Sequence, residues 1–541
     1  MTSTDSNAQK MTSGSQKVFA RDATGLTREI GARDALTGNI LAMGVAYLFV
    51  FAFYSSLLYP GVDLPITVLF TLIPGVVVTL IYYLFTVVMP RTGGDYVWVS
   101  RVVHPSIGFL TNFLITFALM SSVAVGPAWA VSYGLSPMLV ALGLVTSNSA
   151  LTNMGISILS PTTSFIITTL LMSIFIVPLF FGTKNVFRIL WGLFAVAALG
   201  TIVTVLAFYL TPQSVFAANF NRLSGMNYAQ VISSSGLPAG FSLGMTLTGS
   251  IFTITNFLGF YTSAYYTGEV KRVQRSQIYA MLGSIAVMAV FGVLVYASAY
   301  HAVGSSFLNA ISLLSGSGSS SYLLAAPPTL NFLVAFAVPN PLVIVLSALA
   351  LVATGLATAT VFSFVCVRNL FAWSFDRLMP TAIAKIDSKR GSPYVAIGII
   401  WMLSILFVAV YFYTIFFQFY IYSTLEIFMA FILASVAAIL FPFSKKDLFN
   451  SAPSFVKKKI GAVPWITVLG VLGVVLNGYL AYATLQPAVT PPPSGALIRT
   501  LAYAVVPITV VAAFAIYSVA YAYRRRQGFD LRLAYKEIPP E

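Results

Sequence analysis

The feature that most constrains this chain is a series of uninterrupted apolar runs, each about as long as the roughly 20 residues a helix needs to cross a bilayer. Twelve of them lie near 36–57, 65–89, 107–133, 162–182, 189–211, 243–267, 277–302, 342–368, 394–414, 418–442, 463–485 and 499–522. Only 8% of the residues are charged and 58% are hydrophobic, whereas a water-facing domain carries about 25% charged residues. A soluble fold of this composition would expose large adhesive patches. The solvent is therefore lipid, and the expected fold is an all-α integral membrane protein with 12 transmembrane helices.

Charge placement tests that count, because Lys and Arg in short loops stay on the cytoplasmic side. With the N-terminus inside, 27 of the 29 Lys and Arg fall in cytoplasmic segments, and only Arg222 and Arg499 lie elsewhere. One missed span would invert every later loop and destroy the asymmetry. The reading is a multi-pass protein of the cell membrane with both termini cytoplasmic. The net charge of +15 then reflects topology and anionic headgroups, and nucleic acid is not an expected partner. Residues 1–24 are polar and lack the apolar core of a signal peptide, which marks a disordered tail.

Chemistry is constrained by scarcity. His104, His301 and Cys366 are the whole complement of His and Cys, too few for a zinc site, a haem pair or a disulfide framework. Hydrolase and P-loop signatures are missing as well. No enzyme activity, metal or cofactor is expected.

Two spans are interrupted by polar and small residues. The first carries Gly38, Asn39 and Gly44, and the sixth carries Gly244, Gly249, Thr253, Thr255, Asn256 and Gly259. Glycines alone are explained by close helix packing, but Asn256 near mid-membrane is not. Unwound backbone at that depth is tolerated only where it lines a cavity. The two spans are five apart, so a repeat of that length is inverted in the membrane, and matched broken helices mark a secondary transporter. The expected organisation is a five-plus-five inverted repeat over 25–211 and 243–442, two further C-terminal helices in 463–522 and a tail, 523–541. Segments 134–161, 212–242 and 303–341, rich in Ser, Gly, Asn and Pro, read as outer loops. Within the last, Leu330 to Val338 reads as a re-entrant or surface helix bracketed by prolines.

Several motifs resemble the amino acid, polyamine and organocation transporter superfamily. Pro90-Arg91-Thr92-Gly93-Gly94-Asp95-Tyr96 follows the second span, and Phe257-Leu258-Gly259-Phe260 leads to Glu269-Val270-Lys271 in the sixth. Arg368-Asn369-Leu370-Phe371-Ala372 to Asp376-Arg377-Leu378-Met379-Pro380 follows the eighth. Their order and sidedness cover nearly the whole chain and make it similar to prokaryotic amino acid permeases. The resemblance implies a secondary active transporter of amino acids or related small organic amines, working by alternating access. It departs from the family at the first break, where the usual Gly-Ser-Gly is replaced by Val45-Ala46-Tyr47 or, one residue earlier, by Gly44-Val45-Ala46, without the Ser in either register. It departs again in the sixth span, where Thr255 and Tyr261 stand at the usual aromatic and acidic places. The lost motif supports an alternative, a transport-inactive sensor or assembly subunit that keeps the permease fold.

Site expectations follow from both lines. The substrate is expected between Ala42, Met43, Gly44, Val45 and Ala46 of the first break and Thr253, Ile254, Thr255, Asn256, Phe257, Gly259 and Tyr261 of the sixth. Free N–H groups after the first break suit a carboxylate, carbonyls near Ile254 suit an ammonium, and Phe257 and Tyr261 suit gates. An inner gate is expected from Asp95, Glu269, Lys271, Arg368 and Asp376. Relatives with a sodium site use hydroxyls of the eighth span, which here are Thr354, Thr358 and Thr360. Glu426, the only acid placed inside a span, lies about 12 Å deep at 1.5 Å per residue and is the candidate for proton coupling.

Overall fold

The computed structural model describes residues 26, 28–237, 240–387, 389–414, 420–485, 496–528, 531 and 535. The tail expected at 1–24 lies outside the described residues, as do 538–541. Twelve helices are long and apolar enough to cross a membrane, in the order the apolar runs give.

The first span is two helices. Helix α1 (Ala32–Met43) stops where Gly44 takes a φ of 78°, a conformation open to glycine at no steric cost; a Cβ there would run into the Tyr47 ring. One 3-10 turn, Val45–Tyr47, restarts the chain as α2 (Leu48–Leu58). Helix α3 (Leu64–Val88) is started by the Asp63 carboxylate, which accepts from Ile66 N at 2.9 Å, with Pro65 in its first turn. Gly93 and Gly94, both at positive φ, turn the chain into the short α4 (Asp95–Val102), all eight of whose residues are buried.

The third span is longer than the sequence suggests. Helix α5 (Pro105–Trp129) runs through a π turn, Ala130–Leu135, into α6 (Ser136–Thr146), a single span of 42 residues. Pro137 falls in the first turn of α6, directly after the π turn. Helix α7 (Ser149–Ser157), capped by Asn148, folds back against α6, so 134–161 is mostly helix. Next come α8 (Pro161–Ile176) and α9 (Thr183–Tyr209), which starts early enough to carry Lys184 and Arg188 in its first turns. The segment 212–242 also holds two helices, α10 (Gln213–Ser224) and α11 (Tyr228–Ser234).

The sixth span repeats the interruption of the first. Helix α12 (Leu243–Phe257) unwinds at Leu258–Tyr261 and resumes as a 3-10 helix, Thr262–Glu269. Helices α13 (Val273–Val303), α14 (Ser305–Gly316) and α15 (Leu330–Ala337) follow. Every residue of α15 is buried, and Phe336 packs with Phe220 of α10 at 5.2 Å between ring centres. The prolines that bracket α15 thus deliver a buried helix, not a surface one. The chain closes with α16 (Pro341–Phe375), α17 (Tyr394–Tyr413), α18 (Tyr420–Ser444), α19 (Lys446–Ser451), a two-residue antiparallel hairpin of β1 (Lys459–Ile460) and β2 (Val463–Pro464), α20 (Trp465–Thr484) and α21 (Ala496–Arg526).

Burial separates an inner from an outer set of spans. In their most apolar windows the first, third and eighth spans are 89%, 83% and 72% buried, against 28% for the fourth and ninth and 17% for the twelfth. The outer helices present apolar stripes such as Ile166, Leu170 and Ile174, whose spacing of four places them on one lipid-facing side. Inner helices approach through small residues, as membrane helices do. A Cβ on Gly259 would lie 2.5 Å from the backbone of Ala42 and Met43, so the two broken spans cross there with backbone in contact.

Candidate functional site

A small cavity of about 30 Å³ lies beside this crossing. The first span contributes Ala42, Met43, Tyr47 and Phe51; the sixth contributes Thr255, Asn256 and Leu258. Helix α5 turns one face toward it through Leu119, Ser122, Val125, Gly126 and Trp129, whose spacings of three and four are those of a single helix side. Thr358 and Phe362 of α16 and Ser423, Thr424 and Ile427 of α18 complete the wall.

Four of the expected substrate residues, Ala42, Met43, Thr255 and Asn256, line the cavity; the other eight do not. Gly44 and Gly259 make the break and the crossing. Val45, Ala46, Ile254 and Phe257 are buried away from it, and Thr253 shares a 2.6 Å hydrogen bond with the Thr67 hydroxyl on α3. Tyr261 sits among Tyr82, Tyr265 and Phe431, 4.9 Å from the Phe431 ring, one layer nearer the chain ends. Tyr47, Phe51 and the α5 wall were not foreseen, because apolar residues in an apolar span give no signal of what they face.

Polar satisfaction is sharply uneven at the breaks. Asn39 donates from Nδ2 to Phe260 O at 2.7 Å and to Ser263 Oγ at 3.2 Å, while its Oδ1 accepts from Thr262 Oγ1 and Ser263 N, both at 2.9 Å. It thus ties the restart of the sixth span to α1. Asn256 is 2% exposed, and among the described residues neither its Nδ2 nor its Oδ1 has a hydrogen-bond partner. A buried amide left this way is costly.

On one side the cavity is roofed by aromatic rings. Trp129 packs edge-on against Tyr47 and Phe51 at 5.5 Å, Tyr54 stacks on Phe252 at 6.2 Å, and the hydroxyls of Tyr54 and Tyr133 share a 2.7 Å hydrogen bond. On the side bearing the chain ends the closure is thicker and polar. Asp95 accepts from Tyr82 and Tyr265 hydroxyls at 2.9 and 2.7 Å and from Asn112 Nδ2 at 2.7 Å. Burial pushes its carboxyl up to about 6, against the opposing pull of those hydrogen bonds.

Beyond Asp95 lie two buried ion pairs. Arg368 grips both oxygens of Glu269, at 2.8 and 3.0 Å, with Thr183 donating to the same carboxylate and the Phe364 ring 3.8 Å from the guanidinium carbon. Asp376 pairs with Arg101 of α4 at 2.8 Å, not with Lys271. Lys271 is exposed and contributes backbone, its N–H donating to Ile30 O. These charges are 2–4% exposed, so they are not solvated loop charges. Breaking one buried pair costs about 3–5 kcal/mol.

The three candidate sodium hydroxyls diverge. Thr354 Oγ1 accepts from Ala46 N at 3.3 Å and Thr358 Oγ1 donates toward Leu41 O at 3.0 Å, so both face the first break. Thr360 turns to Phe175 O on α8. Glu426 is fully buried and, although three residues from Ser423 and next to Ile427, does not line the cavity. Its Oε1 accepts from Thr509 of α21 at 2.7 Å, and Oε2 has no partner among the described residues.

Twelve apolar helices enclosing a mid-span cavity at two broken spans define a multi-pass membrane protein of the transporter type. A family model described as amino acid permease matches residues 35–514. The chain belongs to the amino acid permease family, within the amino acid, polyamine and organocation superfamily. Comparison with curated proteins gave no match.

Proposed function

We propose that this permease carries an amino acid across the membrane by alternating access through the cavity beside the crossing of its broken spans. The observation that carries the reading is Asn256, a buried cavity-lining amide whose two polar atoms have no hydrogen-bond partner among the described residues, in a chain that satisfies Asn39 completely. A substrate supplies the missing partners. The C-terminal end of α12 carries a partial negative charge that suits the ammonium, and the restart at Val45 a partial positive one that suits the carboxylate. Ala46 N, Tyr47 N and Thr255 O are already bonded within the protein, so these ends act through their dipoles. The aromatic roof serves as the outer gate; Asp95, Arg368–Glu269 and Arg101–Asp376 serve as the inner one.

The positive-inside bias supports a cytoplasmic location for the chain ends, and the matched breaks support an inverted repeat over 25–211 and 243–442. Glu426, with one carboxylate oxygen open, is the proposed proton carrier. Thr354 and Thr358 are the part of the sodium expectation that the geometry keeps together, although both hydroxyls already bond the first span. The test is tracer uptake of pooled labelled amino acids into proteoliposomes, with thermal stability of the detergent-purified protein measured against each amino acid. A ligand at 100 times its Kd adds about 2.7 kcal/mol. Uptake and stabilisation by at least one amino acid are expected; failure of both across the panel contradicts transport and favours a sensor.

A further inference from the structure

The chemistry of the cavity wall narrows the substrate. Among the described residues that line it there is no Asp, Glu, Lys, Arg or His. Glu269 is held by Arg368, Asp376 by Arg101 and Asp95 by three donors, while Glu426 does not line the cavity and accepts from Thr509 through one oxygen. The wall hydroxyls are weak substitutes. Thr255 donates its proton to Ile251 O at 2.6 Å and Ser122 to Ala118 O at 3.1 Å, each back into its own helix. Besides the uncharged hydroxyls of Tyr47, Thr358, Ser423 and Thr424, the rest of the wall is mainly apolar, with Leu119, Val125 and Trp129 from α5, Phe362 from α16 and Ile427 from α18.

A zwitterion fits such a site, since the helix ends at the two breaks supply partial charges of both signs without any ionised side chain. A third charge on the substrate finds no counter-charge, and an unpaired ion in a dry cavity is strongly disfavoured. The same holds for an amine lacking a carboxylate. We infer that the site selects zwitterionic amino acids with uncharged, aliphatic or aromatic side chains, and rejects cationic amino acids, acidic amino acids and polyamines. Leu119, Val125 and Trp129 are its specificity-determining wall. The inference rests on the transport reading above and narrows the wider class of amino acids and amines to which the sequence points.

The experiment is competition in proteoliposomes: uptake of the best labelled amino acid is measured against alanine, valine, leucine, phenylalanine, lysine, arginine, glutamate and putrescine. At least one apolar competitor is expected to inhibit with an apparent affinity 100-fold or more above that of every charged compound. Inhibition by lysine, arginine, glutamate or putrescine within tenfold of the best apolar competitor overturns the selectivity while leaving transport standing. If no compound is taken up or stabilises the protein, the transport reading fails and the selectivity with it. As a second arm, Ser122→Asp places a carboxylate on the wall and is expected to improve lysine inhibition at least tenfold relative to leucine. Leu119→Ala leaves the wall uncharged and is expected to weaken leucine inhibition about tenfold without improving lysine. A Ser122→Asp protein that transports with its lysine-to-leucine ratio unchanged contradicts the assignment of this wall.

Discussion

Asn39 and Asn256 occupy the two broken spans, are equally buried and belong to the same residue type, yet one makes four hydrogen bonds and the other makes none among the described residues. The difference separates two uses of a broken helix. At the restart of the sixth span the freed backbone is met from within the protein, by Asn39 reaching across from α1. At the end of α12 the Asn256 amide lines the cavity without a partner among the described residues. Both belong to the sixth-span break: its restart is tied down by Asn39, while the amide just before it is left without a partner among the described residues, an arrangement that suits a fixed point beside the proposed substrate site.

The comparison can be broken most severely at Asn39. Asn39→Leu orphans Phe260 O and Ser263 N in the protein interior, and at about 1–3 kcal/mol for each unsatisfied group the loss is about 2–6 kcal/mol. The expected result is a collapse in the yield of monodisperse protein on size-exclusion chromatography, at any substrate concentration. Next comes the inner closure. Arg368→Met leaves Glu269 buried without its cation and should lower stability by about 3–5 kcal/mol, read as midpoint loss in thermal unfolding; Glu269→Gln with Arg368→Met together should restore much of it.

Asp95 gives a smaller effect with a defined sign. Its folded carboxyl is pushed up to about 6 from 3.8, so the folded state holds the proton more tightly than the unfolded chain. Stability attributable to this group therefore rises as pH falls from about 6 toward 4, and is lost as pH rises through about 6. Relative to Asp95→Asn, the parent should gain about 1–3 kcal/mol over that window, measured by unfolding at both pH values. A difference independent of pH contradicts a strained, ionised Asp95 at neutrality. Smallest in stability terms is Glu426→Gln, which keeps shape and the Thr509 contact. Folding should be unchanged within about 1 kcal/mol, while the acceleration of uptake by external acidity should disappear. Unaltered pH dependence makes Glu426 a packing residue.

The anomalies of the sequence were legible, and its ordinary residues were not. Twelve spans, the Gly44 break and Asn256 stand out because glycine and amides interrupt apolar runs, and each interruption carries a conformational or solvation cost that demands a reason. Leu119, Val125 and Trp129 looked like any lipid-facing residues, since an apolar side chain is equally content against lipid or substrate. Tyr261 was assigned to the cavity from its place in a family motif, yet, two residues beyond Gly259 in the unwound stretch, it packs in the aromatic layer with Phe431. The partner of Asp376 was hidden because Arg101 lies in a distant segment and loop charges carry sidedness but not pairing. The helices in 134–161 and 212–242 were missed because Ser, Gly and Pro content outweighed short apolar stretches that fold only against neighbouring helices.

The most direct test is thermal unfolding of the parent and Asn256→Leu, each with and without the amino acid that best stabilises the parent. Leucine removes an unsatisfied amide and replaces it with a side chain of similar size, so unliganded stability is expected to be equal to or above that of the parent. The ligand-induced shift is expected to vanish. A variant that loses unliganded stability as Asn39→Leu does, or that keeps the full ligand shift, contradicts the assignment of Asn256 to the substrate.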